Sequence, residues 1–124
     1  MLNDYNCRWV ILEHTGAPDD PQGIHYDLLL EDGLVCRTWR LRKIPILNGP
    51  GLEAELLPPH NLVWLDRQDE LVSGGRGRAR RIFHGFYKGK VSNEFSGLVR
   101  VELFGEDLHG ILEISENYCL LKTL

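Results

Sequence analysis

His25-Tyr26-Asp27 is the first place along the chain where residue types and spacing could do chemistry. On a strand, residues i and i+2 face the same way, with backbones roughly 7 Å apart. An imidazole and a carboxylate so placed can share one metal ion, and the pair suits manganese, iron or zinc better than calcium. The plain alternative is a surface salt bridge. His14 adds weight to the metal, because it ends an apolar run directly before a loop that leads back to His25. Two histidines and one carboxylate with positions left open describe a catalytic metal site, not a closed structural one.

Other groups are candidates for the surroundings of such a site. His60 follows Pro58-Pro59 and precedes NLVWL, so a rigid turn holds it at the entrance to a strand; the alternative is a loop histidine with no task. His84 reads as a turn residue, with Gly85 supplying a positive φ, and His109 as structural or exposed. SGGRGRARR (73–81) resembles a phosphate cradle only loosely, because it lacks the spacings of a P-loop and of a dinucleotide fold. Its glycines let backbone approach a ligand, and arginines such as Arg76 and Arg78 can grip phosphate bidentately. A flexible hairpin loop with solvated charge is the plain reading. The absence of a GxSxG elbow, and of any cysteine next to a histidine, argues against a serine or cysteine hydrolase.

The elements that must position these groups read as short β-rich runs cut by glycine, proline and asparagine. Strands are expected at 7–14, 24–31, 34–42, 61–65, 78–83, 86–92, 97–104, 108–115 and 118–123. Residues 15–23 read as a surface excursion. Residues 43–60 carry four prolines and read as a loop, with a short turn of helix near 52–57. So many short strands predict an all-β fold: a small closed or nearly closed β-barrel with an active-site groove and little helix. Asp32-Gly33 predicts a two-residue hairpin turn that pairs Glu31 with Leu34. His25 then faces Arg40 and Asp27 faces Thr38, all on one polar face at the mouth of the barrel or in an open groove. Ile24, Tyr26, Leu28 and Leu30 make the opposite, core face.

Composition bounds these readings. A chain of 124 residues, 43% hydrophobic and 26% charged, predicts one domain spanning 1–124 with enough apolar mass for one core. No apolar run approaches the roughly 18 residues of a membrane-spanning helix, and no secretion signal is visible at the N-terminus. Three widely spaced cysteines form no CxxC pair, which fits a reducing cytoplasm. The net charge of −4 hides an asymmetry: residues 72–90 hold six basic residues and no acid, against eight basic and eighteen acidic elsewhere. That segment reads either as a solvated hairpin or as a phosphate-facing strip.

Taken together, Glu13-His14, HYDLLLEDG (25–33), Thr38-Trp39-Arg40-Leu41, Lys43 and Pro59-His60-Asn61-Leu62 resemble the 3′-phosphoesterase module of bacterial DNA ligase D. The likeness continues through VSGGRGRARR (72–81), Gly85-x-Tyr87 and FGEDLHGILEIS…YCLLK (104–122), and covers about residues 8 to 123. The resemblance implies a stand-alone module of the bacterial or archaeal cytoplasm. It implies a compact β-barrel with a crescent-shaped groove and a manganese-dependent activity, or one using another divalent transition metal. That activity trims DNA 3′ ends in double-strand break repair, removing a terminal ribonucleoside and then the 3′-phosphate. It implies DNA 3′ ends of primer-templates as substrate and a ligase or polymerase repair complex as partner. Carried over, His14, His25 and Asp27 match the metal ligands, His60 a further active-site histidine, and Lys43 a basic residue at the phosphate. Where the family commonly has arginine two residues after the aspartate, this chain has Leu29, and Arg40, Arg76 and Arg78 are the candidates to supply the missing cation. Two other readings use the same residues: an end-binding barrel without turnover, and an unrelated metal-dependent hydrolase or oxygenase on a small barrel.

Overall fold

The computed structural model describes residues 7–91 and 98–124. Among the described residues nine strands run in order: β1 (Cys7–Thr15), β2 (Ile24–Asp32), β3 (Val35–Leu41), β4 (Leu52–Asn61), β5 (Asp69–Leu71), β6 (Arg78–Val91), β7 (Val99–Phe104), β8 (Gly110–Ser115) and β9 (Tyr118–Lys122). All pair antiparallel. The order β1-β2-β3-β4-β9-β8-β7-β6 closes on itself through β6 and β1, so eight strands form a barrel, and β5 adds to the N-terminal half of β6. This is the expected all-β barrel. Among the described residues, no helix is long and apolar enough to cross a membrane.

Alternation fills the barrel. Trp9, Ile11, Leu28, Leu30, Trp39 and Leu41 point inward and meet Val101, Leu103, Leu112 and Leu121 from the far wall. The opposite faces of β1, β2 and β3 are also covered. Val10, Leu12, Leu29 and Cys36 pack with Leu65 and Ala79 beneath Leu62, Trp64 and Val72. Strands buried on both faces need apolar residues at every position. That is why Leu28-Leu29-Leu30 is an unbroken apolar run whose members are all 0% exposed. Ile24, expected in the core, is instead 39% exposed at the start of β2.

Four local expectations are corrected. Residues 52–61 form β4, not a loop with a helical turn. Prolines are tolerated there because β4 meets β9 only through Leu52 and Glu53, which leaves the edge beside Pro58 and Pro59 without ladder partners. Residues 62–65 are a 3-10 turn, not a strand; Asn61 caps it by accepting a hydrogen bond from the Val63 N–H at 2.9 Å. Residues 78–91 are one strand, so His84 is not in a turn. Gly85 serves close approach instead of a positive φ: a Cβ there would lie 1.8 Å from the Phe104 carbonyl oxygen. Positions 92 and 97, expected at strand ends, lie outside the described residues.

The β2–β3 turn is centred on Gly33-Leu34, with Gly33 at φ 64°. The register therefore pairs Asp32 with Val35 and sets Asp27, not His25, opposite Arg40; Thr38 lies opposite Leu29. A turn moved by one residue shifts each pairing by two. The predicted set of residues sharing a face survives the change.

A candidate metal centre in a groove on the barrel wall

The outer face of β1–β2–β3 carries the site. Register places His14 beside His25 and Leu12 beside Asp27 across β1–β2, and Arg40 beside Asp27 across β2–β3. His60 reaches the same face through a bulge. Cys36 pairs with His60 and Thr38 with Leu57, so Pro58-Pro59 oppose the single Arg37. Leu57 and His60 are three apart, which in a regular strand would put them on opposite faces. The extra residue resets the alternation. Both line a groove of about 490 Å³ with His14, Asp27, Arg40 and Arg76. Its remaining wall is mostly apolar, including Leu12, Pro18, Trp64 and Val72.

His14, His25 and Asp27 each offer a ligand atom, and the three atoms lie within 4.8 Å of one another. His14 Nδ1 is 3.4 Å from Asp27 Oδ2, and His25 Nε2 is 3.3 Å from Asp27 Oδ1. His25 is 0% exposed, and Asp27 is also buried. Among the described residues, His25 Nε2 and Asp27 Oδ1 are buried side-chain atoms without a hydrogen-bond partner. Such atoms cost free energy unless something satisfies them. Two imidazole nitrogens and one carboxylate oxygen around a common point are a donor set that fits a divalent transition metal.

The outer nitrogens are anchored. His14 Nε2–H donates to the Arg76 carbonyl at 2.7 Å, and His25 Nδ1–H donates to Asp20 Oδ2 at 2.8 Å. Arg76 reaches His14 because Gly77, at φ 91°, lets the 73–77 turn lie against the end of β1. Burial works against ionisation of Asp27, but the hydrogen bond from His14 and the close approach of the His25 ring outweigh it and hold the carboxyl at about 2. The hydrogen bond to Asp27 raises the His14 pKa against burial, and the Arg76 carbonyl adds to the rise. The same carboxylate that favours a proton on His14 also favours positive charge on a metal cation in that place. His60 donates its Nδ1–H to the Pro58 carbonyl at 3.0 Å, which leaves Nε2 free of that bond.

The predicted cations divide. Arg40 lies in the groove, where Nη2 meets Asp19 at 3.2 Å and the buried Nε has no hydrogen-bond partner. Arg76 lines the groove too, with its guanidinium bonded to the Ser73 carbonyl and hydroxyl. Arg78 alternates away from Ala79 and pairs with Asp69 on β5 at 2.6 Å. Lys43 is exposed past the end of β3 and lines a separate cavity with Ile44 and Pro50. Nor is 72–90 an unopposed basic strip. Arg80 pairs with Glu13 and Arg81 donates to the Leu65 carbonyl, because strand pairing brings acids and carbonyls from the acidic remainder of the chain alongside it. The side chain of Lys90 lies outside the described residues.

Asp20 is the member that the sequence reading missed, since it lies in the 15–23 excursion. The available signal was an acid pair, Asp19-Asp20, flanked by Pro18 and Pro21, in the loop joining the two histidine-bearing strands. Hydrogen bonds from His25 and Arg42 hold its carboxyl well below the usual carboxylate range. No protein-family model and no curated protein matches the sequence.

Proposed function

We propose that the chain is a metal-dependent 3′-phosphoesterase that trims DNA 3′ ends, as the resemblance to the ligase D module implies. The observation that carries it is the cluster His14–His25–Asp27, of which His14 and Asp27 line one groove with His60 and Arg40. Lewis acidity toward a non-bridging phosphate oxygen is what a divalent ion such as Mn2+ supplies when these three residues hold it. The rest falls to the chain itself. Arg40 stands directly across from Asp27 and lines the groove, where its guanidinium supplies positive charge to a phosphate. It takes the place of the arginine that the family pattern puts at Leu29, which here is buried in the outer apolar cluster. Arg76 adds a second cation at the groove wall. His60, oriented by its bond to Pro58, presents Nε2, which as the N–H of the imidazolium would stabilise developing charge or give its proton to the leaving oxygen. Lys43 and Arg78 have no part in it. The working partner in this reading is the ligase or polymerase that extends or seals the end left behind.

The test is incubation with Mn2+ and a primer-template ending in a single ribonucleotide or in a 3′-phosphate. The expected products are first the shortened strand with a 3′-phosphate, then the 3′-hydroxyl. No product at high enzyme concentration, with metal shown to be bound, refutes the activity. Salt-sensitive binding of the same primer without product would assign an end-binding role instead.

A further inference from the structure

The loop between β1 and β2 is more than a connection. It folds back so that the Gly16 N–H bonds the Gly23 carbonyl, and it carries Asp20 under the sheet with 1% of its side chain exposed. Each carboxylate oxygen there has a defined partner. Oδ2 accepts from His25 Nδ1 at 2.8 Å; Oδ1 accepts from Arg42 Nη1 at 2.7 Å and from the Gln22 N–H at 3.2 Å. An ionised carboxylate only accepts, so the nitrogen that faces it at this distance must carry hydrogen.

We propose that Asp20, backed by Arg42, is a positioning residue that fixes His25 with its proton on Nδ1 and so aims Nε2 at Asp27. The deduction about His25 stands on the hydrogen bonds alone; its consequence for metal binding rests on the metal-centre reading above. His14 is anchored in the opposite sense. Its Nε2–H is given to the Arg76 carbonyl, so Nδ1 is the nitrogen left for a cation. The two histidines therefore present different ring nitrogens to one point. The buried Nε2 of His25 and Oδ1 of Asp27, both without hydrogen-bond partners, mark that point. A carboxylate behind a metal-binding imidazole sets its tautomer and ring orientation, and losing it typically costs about 10–100-fold in metal affinity.

The experiment uses the full chain with 15N-labelled histidine. Long-range proton–nitrogen correlation assigns the protonated ring nitrogens, Zn2+ serves as a diamagnetic probe, and calorimetry gives Mn2+ affinity. In the metal-free wild type, His25 is expected to carry hydrogen on Nδ1, whether or not Nε2 is also protonated. Added Zn2+ should shift Nε2 of His25 and Nδ1 of His14. Asp20→Ala should lose the fixed tautomer and bind Mn2+ about 10–100-fold more weakly. Asp20→Asn, which keeps an acceptor oxygen, should recover part of both. A wild-type His25 without hydrogen on Nδ1 overturns the proposal. So does a folded Asp20→Ala variant that binds Mn2+ as tightly as wild type. If Asp20→Ala does not fold, the wild-type spectrum and Asp20→Asn decide. If the wild type binds no divalent metal while His25 keeps its Nδ1 proton, Asp20 holds His25 as proposed and the metal-centre reading fails by itself.

Discussion

Gly77→Ala, set against Gly75→Ala, tests how the 73–77 turn supports the site. Both glycines have positive φ, 91° and 68°, so alanine at either meets the left-handed penalty of about 1–2 kcal/mol. Only Gly77 is crowded. A Cβ there would lie 2.1 Å from the Thr15 carbonyl oxygen and 2.8 Å from the Gly16 carbonyl carbon, whereas one at Gly75 meets nothing within 4 Å. The three nearest atoms at Gly77 are all backbone, so the clash is relieved by moving the turn away from β1. That adds about 1–3 kcal/mol of overpacking strain. It also breaks the bond between His14 and the Arg76 carbonyl, worth about 1 kcal/mol or more. Gly77→Ala should therefore cost about 3 kcal/mol more than Gly75→Ala. For a domain of this size that is about 12 °C in Tm, at about 4 °C per kcal/mol. Thermal and urea unfolding measure the difference, and Mn2+ titration should show weakened binding in Gly77→Ala alone. Equal losses in the two variants, or unchanged metal affinity in Gly77→Ala, would refute the idea that the turn's close approach holds His14 in place.

Acidification should destabilise the metal-free protein through Asp27. Its carboxyl is held at about 2 against an ordinary 3.8, so its contribution is present above about pH 4 and lost as pH falls toward about 2. Urea unfolding across that range should show the loss, and Asp27→Asn should flatten it. His14 has the opposite sign. Its pKa is raised, so its contribution to metal-free stability is present below its ordinary 6.5 and disappears as pH climbs through the raised value. Mn2+ affinity, which needs the proton gone, should strengthen over that same climb. Gly85→Ala should cost about 3 kcal/mol by urea unfolding, because its Cβ would strike the Phe104 carbonyl oxygen and the Trp9 indole across the barrel seam. Burial pushes the Cys36 and Cys119 thiols up to about 11 and about 12, so neither should react with a thiol reagent at pH 8 until the chain unfolds.

The structure shows why some elements were legible and others were not. β1, β2 and β3 were found almost to the residue because each carries enough apolar side chains to be recognised even when both faces are covered. β4 was hidden by Pro58 and Pro59, which argue against a strand unless one knows that its outer edge is unpaired. The run NLVWL is too short for periodicity to separate a strand from a 3-10 turn. Gly85 resembled a turn glycine, yet its reason is a neighbouring strand almost twenty residues away in the chain. At the site, His25 and Asp27 were legible as a pair because strand alternation is local. His14 and His60 were placed with them by resemblance and by the loop and turn around them. Asp20 was not, since irregular loops offer no period from which to read direction.

What the sequence determined by itself was the set of side chains sharing each strand face, and with it the pairing of an imidazole and a carboxylate. That property depends only on the pleat of one strand. Tertiary structure alone decided how deep the pair lies, which nitrogen of each histidine is free, and which arginines remain in the groove. Those depend on desolvation and on hydrogen-bond partners brought in from distant parts of the chain: Asp20 from a loop, Arg76 from the turn before β6, and Asp69 and Glu13 to neutralise the basic run. Chemistry at this groove is set by those non-local contacts, because free energy follows what surrounds a charge once water has been removed from it.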